Sequence, residues 1–349
     1  MSFSPTPHIA VVILNWNGWE DTIVCLESLL RSDYPDFRII LVDNGSTNDS
    51  LKRIEVWCAG KIPVISYDEA SAQTSGRDEP ESEECQTPSG RPLVIIRTGE
   101  NLGFAEGNNV GIRYALNEQR PADLVFLLNN DTQIEPEAMS RAVAVIRQRD
   151  AGIVGFLIKD SSGTQTLFAG DLRPPELFYI PYSLYLSKHA PGDEPTHVVW
   201  GTAMLIRRDV LRAHETLYGH FLNSAYFLYM EDYEFCFHVQ QMGFSIVIAK
   251  KAVVHHKHID NFTRLNFNNA ITLYYVTRNT VLLAKSLLSL KWRLVFYTYY
   301  PLARCKDVLI LLLKGRSEEV RALLDGLCDG YRGAQGKWRK HPSGEILSS

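Results

Sequence analysis

Short segments that are apolar at every position alternate with segments of helical periodicity over the first 150 residues. The apolar segments cover residues 9–14, 39–42, 93–96 and 124–128. Strands buried on both faces, as in parallel sheets covered by helices, have this uniform apolar character. Apolar residues at helical spacing follow in segments 21–30, 51–58, 108–116 and 136–146. The alternation predicts βαβ units, and therefore an α/β fold with a Rossmann-like, mostly parallel sheet flanked by helices.

A polar cluster follows each of three predicted strands. Residues 15–18 read NWNG, residues 43–46 read DNGS, and residues 129–131 read NND. Ligands of open α/β sheets bind beyond the carboxyl ends of the strands. There, Asp131 can hold a hard divalent cation that holds a diphosphate, and Asp43 can accept the ring N3–H of uracil or thymine. Each cluster alone is typical of a turn or a helix N-cap, but three at neighbouring strand ends favour one binding crevice.

The composition excludes several classes of protein. Lys and Arg total 36 and Asp and Glu total 40, so the net charge of −4 provides no basic field for nucleic acid. The six cysteines form no C-x-x-C pair, which argues against a zinc ribbon or a disulfide framework and predicts a reducing, cytoplasmic location. The N-terminus has no signal-peptide pattern, and segment 294–313 contains Pro301 and charged residues that argue against a spanning helix.

Two further segments carry glycines or acids in patterns that suit a binding site. In segment 101–111, Gly103 and Gly107 allow close backbone approach ahead of a helix, and the alternative is close helix packing through Gly107 and Gly111. In segment 229–235, Glu231 and Asp232 lie between aromatic residues. An apolar pocket raises the basicity of a carboxylate. The alternative is a helix N-terminus, where the dipole favours acids, and both interpretations can hold together.

Basic residues further along the chain give less specific signals. His255, His256 and His258 follow a predicted strand at 245–248 and can supply a metal ligand, but their spacing fits no zinc motif. Arg278 lies on a helical pattern, where it can clamp a phosphate with two hydrogen bonds or make a structural ion pair.

Two segments differ from the rest in charge. Residues 68–84 hold seven acids against one Arg, so we predict a disordered insertion over 68–92, with an acidic docking loop as the alternative. From Lys285 onward, 12 Lys and Arg stand against 6 Asp and Glu, mixed with apolar runs such as 308–313. That composition is typical of helices at a membrane surface, and the alternative is a helical cap packed on the domain.

Seven motifs together resemble the family 2 glycosyltransferases of the GT-A fold, most closely the rhamnosyltransferase-like branch. They are VVILNWNG (11–18), VDNGSTND (42–49), NLGFAEGNN (101–109), LLNNDT (127–132), WGTAMLIRR (200–208), FLYMEDYEF (227–235) and YYVTRN (274–279). The resemblance covers about residues 8–285 and implies a GT-A domain over 1–284. It divides that domain into a nucleotide-sugar-binding half, 8–150, and an acceptor and catalytic half, 151–284. Residues 285–349 would form a basic amphipathic helical extension.

The resemblance also implies a role for individual residues. It places these residues in the donor site: Asn15, Asn17, Asp43, Asn44, Ser46, Gly103, Phe104, Asn108, Asn129 and Asn130. Because Asn129 replaces the first acid of the family's metal motif, Asp131 becomes the main carboxylate for Mg²⁺ or Mn²⁺. A histidine after the last strand is the second ligand, and we choose His256 over His255. Asp232 stands where the catalytic base lies, with Glu231 beside it. These residues fall in the acceptor site: Trp200, Gly201, Lys257 and Arg278.

The reaction implied by the resemblance is an inverting, metal-dependent sugar transfer in surface polysaccharide biosynthesis. The sugar, with rhamnose as the family's example, would pass from a dTDP- or UDP-linked donor to a saccharide or lipid-linked acceptor. Peripheral association with the inner face of the cytoplasmic membrane and a homodimer through the C-terminal helices are further expectations. Two alternatives are a nucleotide-sugar-binding assembly module without activity and a sugar nucleotidyltransferase. The second needs a Gly-rich, basic signature after the first strand, where this chain reads NWNG.

Overall fold

The computed structural model describes residues 6–69, 93–118, 120–171, 173, 176, 194–257 and 269–339. Its centre is an eleven-stranded mixed sheet with the main order β3-β4-β2-β1-β5-β10-β7-β11-β6. The strands are β1 Ile9–Asn15, β2 Phe37–Asp43, β3 Val64–Asp68, β4 Leu93–Arg97, β5 Leu124–Asn129, β6 Thr132–Ile134, β7 Ile153–Asp160, β8 Thr166–Phe168, β9 Glu194–Pro195, β10 Ala203–Arg207 and β11 Ile246–His256. The run from β3 to β5 is parallel throughout, and β10 enters antiparallel between β5 and β7. The predicted α/β fold is confirmed.

Helices cover both faces of the sheet, as the alternation in the sequence predicts. They are α1 Trp19–Leu30, α2 Ser50–Cys58, α3 Gly103–Asn117, α4 Ala138–Arg149, α5 Arg208–Tyr218, α6 Glu231–Gln241, α7 Ala270–Leu287, α8 Leu290–Leu313 and α9 Ser317–Arg332. Successive residues of a strand point to opposite faces, so Val12 packs with α3 while Val11 and Ile13 pack with α1. Both layers of the core are therefore built from the same apolar strands.

Strand β3 is one of six strands that are absent from the expectations drawn from sequence. Strand β3 pairs in parallel with β4 at the edge of the sheet, and its residues alternate between exposed and half-buried. Because an edge strand is only partly covered, it lacks the uniform apolar signal of a central strand. Asp68, where the insertion was expected to begin, is the last residue of this strand; residues 70–92 lie outside the described residues.

The C-terminal extension is helical, as expected. Helix α7 runs to Leu287, past the proposed boundary at residue 285, and α9 packs back against it. Small residues make that contact, because a Cβ placed at Gly326 would lie 2.7 Å from the Tyr274 carbonyl oxygen. Trp338 then stacks on the Tyr274 ring at 4.3 Å. Within the described ranges, no helix is both long enough and apolar enough to cross a bilayer.

Candidate active site

Three polar side chains at or just after the ends of β1 and β2 bind one another. We call these residues, Asn15, Asp43 and Ser46, the donor pocket. Parallel pairing sets Asn15 beside Asp43 at the last position of both strands. Asn15 Nδ2 and Ser46 Oγ both donate to Asp43 Oδ1, at 2.9 and 2.6 Å. The other carboxylate oxygen, Oδ2, accepts only a long contact of 3.4 Å from the Ser46 N–H among the described residues. Asp43 Oδ2 therefore retains the capacity to accept a hydrogen bond from a ligand.

Asn17 ties the two loops of this pocket together. Its backbone lies in the left-handed region at φ 57°, which Asn tolerates better than most residues. Its side-chain oxygen accepts from the Thr47 N–H at 2.8 Å, and its own N–H donates to Ser46 Oγ at 3.0 Å. Asn17 thus shapes the loop that follows β2.

The glycine loop ahead of α3 lies directly against the loop that precedes α6. Gly103 has φ +81°, and a Cβ there would lie 2.4 Å from the Phe227 carbonyl oxygen. The Phe104 N–H donates to that same oxygen at 2.6 Å. Asn44 and Asn108 are each 2% exposed and bind this loop, since Asn44 accepts from the Leu102 N–H and Asn108 donates to the Phe104 carbonyl. Both amides therefore support the loop and do not face solvent.

The other glycines of this motif serve packing. A Cβ at Gly107 would lie 2.5 Å from the Leu14 side chain, and one at Gly111 would lie 2.4 Å from Val12. Close approach of α3 to β1 therefore requires both glycines, and the packing interpretation is correct for them.

A carboxylate and an imidazole meet where β5 leads into β6. β11 pairs with β6, so that His256 lies opposite Thr132, and its Nε2 is 3.1 Å from Asp131 Oδ2. Asp131 Oδ1 is buried and has no hydrogen-bond partner within the described residues. His255 points elsewhere, with Nδ1 at 3.2 Å from the Asp160 carbonyl oxygen.

This donor set suits a divalent cation. A carboxylate oxygen and a neutral imidazole nitrogen are common ligands of Mn²⁺ and related ions, and the unpartnered Asp131 Oδ1 can supply a further lone pair. Over the described parts of the chain, no third His, Cys, Asp or Glu completes a protein-only site with Asp131 and His256. The Asn130 side chain donates to Thr22 Oγ1 at 3.0 Å, and the Asn129 side chain makes no hydrogen bond to another described residue.

Two adjacent acids begin α6. Asp232 accepts backbone N–H donors on both oxygens, from Gly201 to Oδ2 at 3.0 Å and from Tyr233 to Oδ1 at 2.9 Å. Burial raises the pKa of Asp232 to about 6, although those donors oppose the shift. Burial, and then the charge of Asp232, raises the pKa of Glu231 well above its usual value. The helix N-terminus and the desolvated acid pair therefore coincide.

Tyr229 connects the acid pair with the Asp131–His256 pair. Burial is the largest cause that raises the pKa of the Tyr229 hydroxyl, and the charges of Glu231 and Asp131 both add to it. A hydrogen bond with Thr272 at 3.3 Å opposes the shift. The Tyr229 hydroxyl is therefore within electrostatic range of both Glu231 and Asp131.

The expected acceptor residues separate into two groups. Trp200 stacks on Phe168 at 4.3 Å, and a Cβ at Gly201 would lie 3.0 Å from the Phe104 ring, so this loop borders Asp232. Lys257 instead extends to Asp21 on α1, with its Nζ donating to Oδ1 at 2.5 Å. Its backbone N–H does bind the Asp131 carbonyl at 3.0 Å.

Arg278 lies outside the cleft, which corrects its expected acceptor role. Its side chain is fully buried and donates to the backbone carbonyls of Ala225, Tyr226 and Gly336. The structural alternative also needs correction, because these partners are carbonyl groups and not a carboxylate. Arg278 therefore holds the chain that leads to the acid pair and does not clamp a phosphate.

Residues 225–230, which we call the catalytic loop, are unusual in backbone conformation. Phe227, Tyr229 and Met230 have φ of 63°, 68° and 74°, although none is glycine. Asn279, next to Arg278 on α7, donates to the carbonyls of Tyr226, Leu228 and Tyr229 at 2.7 to 3.0 Å. Sequence reasoning missed both Asn279 and Tyr229 as site residues, although each belongs to a motif that was recognised.

Comparison with known proteins agrees with this geometry. The family model described as Glycosyl transferase family 2 matches residues 10–79 and 76–214. The low-salt glycan biosynthesis hexosyltransferase Agl10 of Haloferax volcanii is 25% identical over 309 residues, which cover 86% of this chain and 93% of that protein.

Two solved structures share the fold. The mannosyltransferase PcManGT from Pyrobaculum calidifontis, in complex with GDP-Man and Mn²⁺, has 13% identity and a TM-score of 0.53, covering 97% of this chain and 89% of its own. Residues 1–349 of S. aureus TarS, in complex with UDP-GlcNAc, have 15% identity and a TM-score of 0.53, covering 94% and 81%. These similarities confirm the expected GT-A fold.

Proposed function

The chain belongs to glycosyl transferase family 2, and from this premise we propose that it moves a hexose from a nucleoside diphosphate to an acceptor hydroxyl with Asp232 as the general base. The observation that carries the proposal is the environment of Asp232. Its carboxylate is held by two backbone N–H groups, has a pKa raised to about 6, and borders the Gly201 and Phe104 loops. A base with a pKa just below the working pH is ionised and still basic enough to take a proton.

The polar groups of the donor pocket are suited to binding a uracil or thymine nucleotide. Asp43 Oδ2 keeps a free lone pair because Asn15 and Ser46 both bind Oδ1, so it can accept a ring N3–H. The similar TarS structure contains UDP-GlcNAc, which supports a nucleotide-sugar donor. We propose dTDP- or UDP-linked sugars, with rhamnose as the first sugar to test because of the motif resemblance.

Asp131 and His256 would hold Mg²⁺ or Mn²⁺ beside the donor diphosphate. The buried, unpartnered Asp131 Oδ1 supports this assignment, and the similar PcManGT structure contains Mn²⁺. When bound, the cation offsets the negative charge that develops on the leaving diphosphate.

Transfer would proceed by a single displacement. Asp232 removes the proton of the acceptor hydroxyl as the oxygen attacks the anomeric carbon on the face opposite the diphosphate, which inverts the configuration. The electrons of the broken bond leave with the nucleoside diphosphate, and the proton remains on Asp232. Burial and the charge of Asp232 raise the pKa of Glu231, which favours the neutral form of Glu231 beside the base.

The acceptor would be a saccharide or a lipid-linked saccharide of a surface polysaccharide. The Gly201 backbone borders the base, and the half-buried Trp200 precedes it; together they would form the surface that such an acceptor approaches. We place the reaction in the cytoplasm, where the free cysteines of the described chain would remain reduced.

The Asp232→Asn variant tests the proposal. General-base catalysis contributes about 10²–10⁴-fold, so we expect kcat to fall by at least about 10²-fold while the Kd for the donor stays within about twofold. Turnover is measured by release of nucleoside diphosphate from a panel of nucleotide sugars, and product configuration by NMR. Glu215→Gln, an exposed carboxylate on α5, is the control. Near-normal turnover of Asp232→Asn would exclude the base assignment, and donor binding without turnover in the unmodified protein would favour the assembly module.

A further inference from the structure

A row of exposed leucines runs along α8 on the side that faces away from the domain. Leu290, Leu294, Leu302, Leu309, Leu312 and Leu313 are 57% to 79% exposed, and Val295 is 41% exposed. At about 100° per residue these positions fall within one half of the helix circumference. The opposite half carries Phe296, Tyr300 and Leu311, which are buried. We call the seven exposed residues the α8 strip.

The charges along the strip have one sign. Lys291 and Lys306 lie within its arc, Lys314 follows its last residue, and all three are exposed. The only acid of α8 is Asp307, which is 8% exposed and lies 3.0 Å from the Arg304 guanidinium. The strip therefore presents apolar and positive groups with no exposed carboxylate on the same helix.

We propose that the α8 strip is the surface by which this protein docks on an anionic lipid bilayer. An amphipathic helix with leucines on one face and lysines beside them lies in the plane of the interface, with the leucines in the acyl boundary and the lysines among the headgroups. The helix extends for 24 residues, or about 36 Å, so that several leucines can insert at once. Pro301 and the charged residues within α8 exclude the alternative of spanning.

A second copy of the chain fits the strip less well. In a symmetric dimer the same face would meet itself, so each lysine would approach a surface that offers only apolar and positive groups. Anionic headgroups supply the missing negative charge, and a partner strip does not. Charge complementarity thus favours lipid over self-association.

The strip is also connected to the catalytic loop. After α9, the Gly336 N–H donates to the Ala225 carbonyl at 2.9 Å, and Arg278 binds the Gly336 carbonyl. The segment that carries the strip is thereby fastened to the chain that positions Asp232. If the acceptor is lipid-linked, which rests on the proposed function, docking would hold the active site at a fixed height above the lipid.

Vesicle flotation with the full chain tests the docking proposal without any donor, metal or turnover. We expect binding to vesicles of phosphatidylcholine and phosphatidylglycerol, and weak binding to phosphatidylcholine alone. The double variant Leu302→Glu, Leu309→Glu should lose at least about tenfold in partitioning, because charged side chains are excluded from the acyl boundary. Lys291→Gln with Lys306→Gln should lose several-fold, and added salt should have the same effect.

Leu217→Glu is the matched control, because Leu217 is 65% exposed on α5 and lies outside the strip. Its partitioning should equal that of the unmodified protein. Circular dichroism of each variant shows whether the fold is retained. Equal partitioning of the strip variant and the control would overturn the proposal.

Cys305, exposed on α8 and at the same arc as the strip, gives a second readout. With Cys85 and Cys328 replaced by serine, a polarity-sensitive dye on Cys305 should shift to the blue on anionic vesicles. Analytical sedimentation tests the competing outcome, self-association. If the protein forms a concentration-dependent dimer that Leu302→Glu abolishes, and if it does not bind vesicles, the strip is a dimer interface and lipid docking is refuted. If the unmodified protein binds vesicles but transfers no sugar, only the proposed function is refuted.

Discussion

The donor pocket and the catalytic loop each position a carboxylate, but they do so by different structural means. Asp43 follows a regular strand, and its partners Asn15 and Ser46 come from the ends of adjacent elements. Asp232 follows a loop with three non-glycine residues at positive φ, held from outside by Arg278. The sheet therefore fixes the first carboxylate, whereas a distant helix fixes the second.

The difference has an energetic basis. A non-glycine residue at positive φ costs about 1–2 kcal/mol, so the catalytic loop is unfavourable by itself. A buried guanidinium is also unfavourable unless its N–H groups are satisfied. In the observed arrangement, carbonyls of the loop satisfy Arg278, and Arg278 together with Asn279 stabilises the loop. Each feature is thus stable only in the presence of the other.

Gly103→Ala should have the largest effect, because Gly103 lies directly against Phe227 of the catalytic loop. The new Cβ would meet the Phe227 carbonyl oxygen at 2.4 Å on a backbone with φ +81°. We expect a loss of about 2–5 kcal/mol in the free energy of unfolding and at least about tenfold in kcat. Urea denaturation and turnover measure the two effects.

Gly99→Ala provides the matched control for this prediction. Gly99 also has a positive φ, +77°, but a Cβ there has no neighbour within 4 Å among the described residues. Only the backbone cost of about 1–2 kcal/mol should remain, with kcat unchanged. Equal losses in both variants would mean that contact between Gly103 and the catalytic loop has no role in catalysis.

The Arg278→Lys variant shows whether Arg278 affects catalysis by positioning the catalytic loop or only affects the stability of the fold. Lysine keeps the charge but cannot reach three carbonyls with a planar fork, so we expect kcat to fall about tenfold with the donor KM nearly unchanged. The pH profile should change as well, because displacement of the loop alters the burial of Asp232. Arg207→Lys, at a buried ion-paired arginine on β10, should cost stability without a change in kcat. Parallel losses of kcat in both variants would contradict the positioning role.

The sequence predicts the geometry of the donor pocket better than that of the catalytic loop, because the signals for the donor pocket are local. Uniform apolar strands mark β1, β2 and β5, and each polar cluster directly follows the strand that positions it. Asp131 and His256 lie far apart in sequence, and only the family resemblance paired them before the structure did. In segment 229–235 the sequence shows acids between aromatic residues, but it does not show which residues hold the catalytic loop in place.

Arg278 shows why that information is missing. An arginine on a helical pattern has the same sequence signature whether it faces a cleft or the interior. Its partners are backbone carbonyls 52 and 53 residues away, and carbonyls leave no mark on residue type. Asn44 and Asn108 present the same difficulty, since a polar residue beside a glycine loop can support the loop or face the ligand.

The pH dependence of turnover should reflect the catalytic loop and not the donor pocket. Because Asp232 must be ionised to accept a proton and burial raises its pKa to about 6, activity should be constant well above that pH. Below it, kcat should fall about tenfold for each pH unit. Saturating donor, acceptor and metal isolate this step. A kcat that remains flat down to about pH 5 would contradict Asp232 as the base.

Asn15→Ala should give the smallest effect, and it tests the donor pocket instead of the catalytic loop. The variant removes the amide that donates to Asp43 Oδ1 and Ser46 Oγ and that accepts from Thr22 Oγ1 and the Gly18 N–H, while leaving both strands in register. A hydrogen bond of this kind is worth about 0.5–1.5 kcal/mol, so we expect the Kd for the donor to rise about 3- to 10-fold. Because Asn15 makes no contact with the catalytic loop, kcat at saturating donor should stay within about twofold. Asn117→Ala, at an exposed amide that binds Arg212, should change neither quantity. A fall in kcat with unchanged donor affinity would show that the donor pocket also positions the catalytic groups, and the distinction between the two regions would no longer hold.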